Sequence, residues 1–383
     1  MSRELLQHPF MSRAALEHFT TPALIRAMLA FELALADSEE QHGILPAGTY
    51  LAMAHHLTPE VFDAVALETD TALGGNAAIP FVQQAKAALP ESLRQWYHHG
   101  ATSQDVLDTA LMQLSAQRLP VMLGLVERSL DALAQLMRHH GDTLMIGRTL
   151  MQQALPTTFG VRAAQWALQL DEARLRLSDI AIKGLPVQFG GPVGIHGGLP
   201  GGLPLMETLA QRLGLRAPLL PWHTNRQPIH ALMTALDALA VAADKIAGDI
   251  ILLAQGELQE LAEPAGEGVG GSSSMAHKRN PVRCTLIRAA SRGIHGHVTT
   301  FLHAASQPLE RAAGEWHSEW AALIESQQLL EGALDQLAIT LEGLEVHIDA
   351  MARNLAATHS SDARAQLGSA HDQIARVLDH LGR

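Results

Sequence analysis

Cysteine is almost absent. Cys284 alone occurs in 383 residues, which excludes an internal disulfide framework and a Cys-rich zinc site and suits a reducing compartment. Aromatic residues make up only 4% of the chain while Leu and Ala abound, a composition of helices rather than strands. Positive charge is in deficit, with 27 Lys and Arg against 39 Asp and Glu and a formal net charge of −12. That excludes a general nucleic-acid binder, which needs a basic face to neutralise phosphates. An anionic small molecule remains possible, but its cationic pocket has to be local. Long uncharged apolar runs are missing too. The greasiest region, residues 229–255, is interrupted by Asp237, Asp244, Lys245 and Asp249, so no membrane span is expected. The opening MSRELLQHPFMSRAALEH lacks the apolar stretch of a signal peptide, and the expected location is cytoplasmic.

What is present is helical periodicity. Leu123, Val126, Leu130, Leu133 and Met137 recur at spacings of three and four, as do Leu232, Leu236, Leu239, Ala243, Ile246, Ile250 and Leu253, and Leu330, Leu334, Leu337, Leu341 and Leu344. Such stripes are the seams of helices packed at shallow angles, so the chain is expected to be all-α. A helix of ~30 residues is ~45 Å long, more than an ordinary small domain needs. Further apolar residues such as Ile251 and Leu252 flank the seams, and a second greasy face is expected to pack on other subunits. By themselves the stripes report burial, not chemistry.

Two glycine-rich stretches, 184–204 and 263–281, break the helical texture. In the second, Gly266, Gly268 and Gly271 have the spacing of a dinucleotide-binding fingerprint, but no strand pattern precedes them. Nor does a Gly-Lys-Ser/Thr close the run as in a P-loop. Ser272 near His277 has no strand–turn–helix elbow to make it a hydrolase nucleophile. What the stretch does hold is Ser272, Ser273 and Ser274, then His277, Lys278, Arg279 and Asn280, with Pro281 leading into a helix. Backbone amides backed by cations suit a carboxylate, or the enediolate formed when a proton leaves the adjacent carbon. A solvated linker with a chance basic pair explains the same residues.

First in chain order among the polar clusters is His98-His99-Gly100-Ala101-Thr102-Ser103-Gln104-Asp105. Ser103 is placed to cap the following helix and Asp105 to favour its dipole, which leaves His98, Thr102 and Gln104 unexplained. A helix N-terminus with hydroxyls and an amide is also an anion site. The second cluster, Gly147-Arg148-Thr149-Leu150-Met151-Gln152-Gln153, puts an Arg fork and a hydroxyl beside two amides, and the 263–281 stretch is the third. The second reads either as a carboxylate site or as a polar turn before a helix.

Together the three clusters, and GSSSMAHKRNP above all, resemble the signature segments of the fumarase/aspartase superfamily in their order and approximate spacing. The resemblance spans roughly residues 15–350. Gly75-Asn76-Ala77-Ala78-Ile79-Pro80, Gln188-Phe189-Gly190-Gly191, Pro221-Trp222-His223-Thr224, Leu309-Glu310-Arg311 and Glu315-Trp316-His317-Ser318-Glu319-Trp320 are most similar to its bacterial cycloisomerase branch. The resemblance implies a three-domain helical chain: an N-terminal domain over 1–95, a central bundle over 96–345 carrying the loop 263–281, and a shortened C-terminal domain over 346–383. It also implies a homotetramer whose active sites each take the three segments from three different subunits. The implied activity is cofactor-free and metal-free closure of 3-carboxy-cis,cis-muconate, a polycarboxylate of the protocatechuate branch of aromatic catabolism, to a lactone.

Carried over by position, Ser272 matches the superfamily's catalytic serine and Lys278 with Asn280 its carboxylate-binding pair. Thr102, Ser103, Gln104, Arg148 and Thr149 match substrate contacts of the first two segments, and His98 matches a histidine of the lyase and cycloisomerase branches. Ser273, His277 and Arg311 complete the implied substrate contacts. Three departures stand out. Ala276 takes the place of a loop proline. Leu150 and Gln153 occupy the two positions where members place a second-segment histidine, which leaves the second acid/base open between His98, the better candidate, and His277, with Gln153 as a binding residue. The chain is also short after Asn354. An adenylosuccinate-type lyase, another polycarboxylate lyase and a non-catalytic helical scaffold are the competing readings.

Overall fold

The computed structural model describes residue 9 and residues 11–266, 270–271, 278–357 and 363–383. Short helices come first: α1 (Arg13–His18), α2 (Thr21–Gln41), α3 (Thr49–His56), α4 (Ala64–Gly74), α5 (Ala78–Ala88) and α6 (Glu91–Arg94). Their boundaries follow local chemistry. Pro22 sits in the first turn of α2, where its missing N–H costs nothing. Asp63 caps α4 through the amides of Val65 and Ala66, and the chain leaves α4 through Gly75 at φ +74°.

Five long helices then form the body: α7 (Ser103–His139), α8 (Phe159–Lys183), α10 (Gln227–Leu253), α11 (Val282–Ala304) and α12 (Glu315–Glu342), with α9 (Gly202–Leu213) packed on α2. α11 packs along α12 and α10, while α7 packs on α8 and α12. The sequence stripes are the seams of this bundle. Val126, Leu130, Leu133 and Met137 are fully buried, as are Leu232, Leu236, Leu239, Ala243, Ile246 and Ile250. In the third stripe Leu330, Leu334, Leu337 and Leu341 are buried, but Leu344 lies beyond the end of α12 at Glu342. Ile251 and Leu252 stay partly exposed. A second core joins α2, α5, α9 and the first turns of α7 to Val187 and Phe189 of the first glycine-rich stretch.

Two antiparallel pairs interrupt the helices. β1 (Leu144–Thr149) pairs with β2 (Gln152–Thr158), Leu144 opposite Thr158 and Thr149 opposite Gln152. β3 (Leu261–Ala262) pairs with β4 (Glu345–Val346), after which α13 (Ile348–Ala356) and α14 (Ala370–His380) close the chain. The second cluster is therefore a β-hairpin and not a simple turn before a helix. Its two turn residues, Leu150 and Met151, have φ +49° and +64°. Two-residue hairpins need that geometry, but it is usually met by Asn-Gly.

Candidate active site

The first cluster sits where α7 begins. Thr102, not Ser103, is the N-cap, and Ser103 is the first helical residue. The reason is Asp105, which accepts the Thr102 amide at 3.0 Å and so fixes the cap one residue earlier. The other contacts of Asp105 are the Gly191 amide at 2.9 Å and His223 Nε2 at 2.7 Å. This buried carboxylate thus pins the helix start to the glycine-rich stretch and to the 221–224 turn.

Gln104 is 1% exposed. Its amide nitrogen donates to Asp108 and to the His223 carbonyl, and its oxygen accepts Arg311 Nη1 at 2.7 Å. With both ends engaged, Gln104 positions Arg311 inside the protein. The second guanidinium nitrogen of Arg311 donates to the carbonyls of Pro192 at 2.7 Å and Gly191 at 3.4 Å. All these acceptors are neutral. Burial lowers the pKa of Arg311 against the pull of Asp105 and Asp108, yet both aspartates spend their oxygens on other donors. Arg311 therefore keeps a partly exposed charge with no direct carboxylate partner among the described residues, as an anion site requires.

Beneath it lies a buried ion cluster. Arg226 donates to Asp108 at 2.7 and 3.1 Å and to Glu319 at 2.7 Å, and its guanidinium lies 4.7 Å from the Trp222 ring centroid. Asp108 also accepts the Trp316 indole. Burial disfavours the Arg226 charge, but Asp108 and Glu319 outweigh it and raise its pKa. Burial also pushes Glu319 up to about 7 in spite of Arg226.

His98 lies beside this cluster in the left-handed region at φ +59°, followed by Gly100 at φ +66°. The positive φ of Gly100 favours glycine here, and a Cβ would fall 2.2 Å from Leu199 Cδ1, so that a larger residue also has to displace that side chain. His98 Nδ1 meets Glu32 of α2 at 2.6 Å, and His99 Nδ1 meets Glu39, seven residues further along α2, at 2.7 Å. Thr102 and Ser103 are partly exposed beside them.

The second and third clusters are elsewhere. A helix of 37 residues is ~55 Å long, and the hairpin follows the far end of α7. Arg148 there forks onto Glu260 at 2.8 and 2.7 Å, a carboxylate that Asn354 also contacts at 2.8 Å. Thr149 and Gln153 are exposed on the same hairpin, and the Leu150 tip is 96% exposed. The third cluster approaches the same end. Glu263 caps α11 through the amides of Arg283 and Cys284, and the Cys284 thiol behind it is buried and raised in pKa by that burial and by Glu263. Lys278 and Asn280 line a cavity of about 1170 Å³ with Arg279, His347 and Arg353. Arg279 is committed to Glu345 at 3.0 and 2.8 Å. Ser272, Ser273 and His277 lie outside the described residues. Within one chain, Arg148 and Lys278 thus share one end of the bundle and His98, Gln104 and Arg311 share the other, ~34 Å away along the 23 residues of α11.

Residues 60–296 match the lyase family, and that span holds all three clusters. The chain is 39% identical over 351 residues to the 3-carboxy-cis,cis-muconate cycloisomerase of Bradyrhizobium diazoefficiens, covering 91% of this chain and 77% of that protein. It is 38% identical to the nitrosuccinate lyase of Streptomyces davaonensis over 346 residues, 87% of this chain and 73% of the relative. The solved 3-carboxy-cis,cis-muconate lactonizing enzyme of Pseudomonas putida superposes with a TM-score of 0.88 at 33% identity, over 97% of this chain and 86% of that one. The chain belongs to the lyase family. Its fold is the all-α fumarase/aspartase fold of those relatives, with the two short antiparallel strand pairs described above.

For this lyase the sequence pointed to His98, Gln104, Arg148 and Arg311 but not to the residues that hold them. Glu32 and Glu260 are separated from His98 and Arg148 by 66 and 112 positions, and Gln104 from Arg311 by 207, and no local pattern announces such pairs. The one available signal was a carboxylate on an otherwise apolar helix face, as at Glu32 and Glu39, which are 2% and 0% exposed. Among the described residues no three His, Cys, Asp or Glu side chains converge as a metal site needs, and no helix is long and apolar enough to cross a membrane.

Proposed function

We propose that this lyase is a cycloisomerase closing 3-carboxy-cis,cis-muconate to a carboxymuconolactone, and that it works as a homotetramer. The observation that carries the reading is the Arg311 charge left for a ligand, beside His98, in a chain of net charge −12. The substrate is taken from the cycloisomerase relatives. The two-ended layout supports a shared site, because the hairpin and the 263–281 loop reach the first cluster only if they come from other copies.

In the forward direction one substrate carboxylate adds across the double bond conjugated to another. The new C–O bond forms, the π electrons pass to the acceptor carboxylate, and the resulting enediolate takes a proton at carbon. A trianion and one proton become a dianion. Ser272 delivers the proton to carbon, and Lys278, Asn280 and the loop amides stabilise the enediolate. Arg311, Thr102, Ser103 and Thr149 bind the remaining carboxylates. Gln104 and Arg148 act from behind, Gln104 by holding Arg311 and Arg148 by tying the hairpin to Glu260. The nucleophile is already a carboxylate and needs no base, which makes Leu150 and Gln153 tolerable where a lyase expelling an amine needs an imidazole.

The test is ultraviolet-monitored turnover of 3-carboxy-cis,cis-muconate with EDTA present, beside adenylosuccinate and nitrosuccinate. Rapid loss of the muconate chromophore with the other two untouched is the expected result. Turnover of either succinate without the muconate overturns the proposal in favour of a β-elimination lyase.

A further inference from the structure

We propose that Glu32 is the positioning residue for His98, accepting its Nδ1–H so that the opposite ring nitrogen, Nε2, faces the substrate and donates a proton when the ring is cationic. This rests on the role assigned to His98 above. The geometry leaves the ring one way to work. Nδ1 is occupied by Glu32 at 2.6 Å, so the opposite nitrogen, for which no partner appears among the described residues, is the one turned towards ligand. The Glu32 side chain is 0% exposed and that of His98 17%, so the contact is shielded on the carboxylate side and open on the imidazole side. The second Glu32 oxygen has no hydrogen-bond partner and neither has the neighbouring Tyr97 hydroxyl. Burying a carboxylate that incompletely satisfied is costly, and the histidine is its one ionic contact among the described residues. The left-handed backbone at His98 is a further local cost spent on the same placement.

The neighbouring pair shows what Glu32 adds. Glu39 and His99 repeat the same contact one step along α2, but burial and the Glu32 charge push Glu39 up to about 9, while burial lowers His99. That pair is neutral at pH 7, with Glu39 the donor. At His98 burial again works against the charge, yet the charge and hydrogen bond of Glu32 on α2, and Asp105 on α7, outweigh it and raise the pKa; Lys86 on α5 opposes them. A raised histidine pKa means the cation persists below the shifted value and is lost as pH rises through it. A cationic Nε2–H is the form that meets a carboxylate and can return a proton consumed in each turnover.

Glu32→Gln keeps the volume and an acceptor for Nδ1–H while removing the charge. In the ligand-free protein, NMR titration of the ring, assigned by comparison with His98→Gln, is expected to show the His98 midpoint falling by about one pH unit. The alkaline limb of the kcat/KM profile for the muconate should fall with it, and Glu32→Asp should recover most of the shift. An unchanged His98 midpoint in Glu32→Gln overturns the proposal even if turnover drops. If Glu32→Gln fails to fold, the same reading is made on Glu32→Asp, where any effect must appear as a smaller fall. A lower midpoint in a protein that ignores the muconate leaves Glu32 as the positioning residue and removes the substrate assignment instead.

Discussion

Replacing Arg226 by alanine is expected to destabilise the protein by ~3–5 kcal/mol, a large share of the stability of an ordinary domain. The magnitude comes from what is left behind. Asp108 and Glu319 are 1% and 2% exposed, and each takes a short bond from the guanidinium. Without it two carboxylates face each other in the interior with only neutral donors, the Gln104 and Gln307 amides and the Trp316 indole. Glu319 already sits near 7 with Arg226 in place, so in the variant it is held still more firmly protonated. The sign follows: the unfolded chain releases that proton more readily than the folded one, so the variant regains stability as pH falls. Arg226→Lys keeps the charge but loses the fork and the contact with Trp222, and should lie between. Urea unfolding at pH 7.5 and at pH 5.5 measures both effects. A loss below ~1 kcal/mol at the higher pH would show that the cluster is solvated and not buried.

The second large effect is on the reaction. Ser272→Ala is expected to lower kcat by at least ~100-fold with KM nearly unchanged, since the hydroxyl acts on the carbon being protonated and not on a carboxylate already bound. Ser272 follows Gly271 directly, and the Asn280 amide donates to the Gly270 carbonyl at 2.9 Å, so the strand that leaves the loop is tied to the strand that enters it. A Cβ on Gly270 would lie 2.7 Å from the Asn280 carbonyl oxygen, so the closure depends on glycine there. This base carries Lys278 and Asn280. Steady-state kinetics on the muconate decide the point. Retention of more than ~10% of kcat would remove Ser272 from the proton-transfer step.

The helical body was legible because burial repeats with the helix period. The stripes on α7, α10 and α12 name the seams correctly, apart from Leu344, which the chain end of α12 leaves outside. The hairpin at 144–158 was not legible. Its turn is Leu150-Met151 instead of Asn-Gly, Pro156 interrupts the second strand, and a register shift falls between Ile146 and Arg148. Gly147 marks that irregularity, since a Cβ there would approach the Leu155 carbonyl oxygen to 2.9 Å. The cap at α7 was missed by one residue because Asp105 works from inside the helix on the Thr102 amide. The candidate site residues stood out in the sequence as polar types, but the partners that hold them in the fold did not. Gln104 and Arg148 look like ligands in the sequence and are bound to other side chains in the fold, whereas Arg311 owes its availability to three neutral oxygens brought from residues 104, 191 and 192.

The measurement that bears most directly on a cycloisomerase site shared between copies is subunit complementation. His98→Ala disables the first cluster and Ser272→Ala the third, and each variant alone should be nearly inactive. Co-expressed in equal amounts, they should recover about a quarter of wild-type muconate turnover, because random assembly pairs an intact first cluster with an intact loop at about one site in four. Mixed tetramers that stay as inactive as either parent would contradict the account, placing both residues of each site on one chain or leaving the muconate without a site at all.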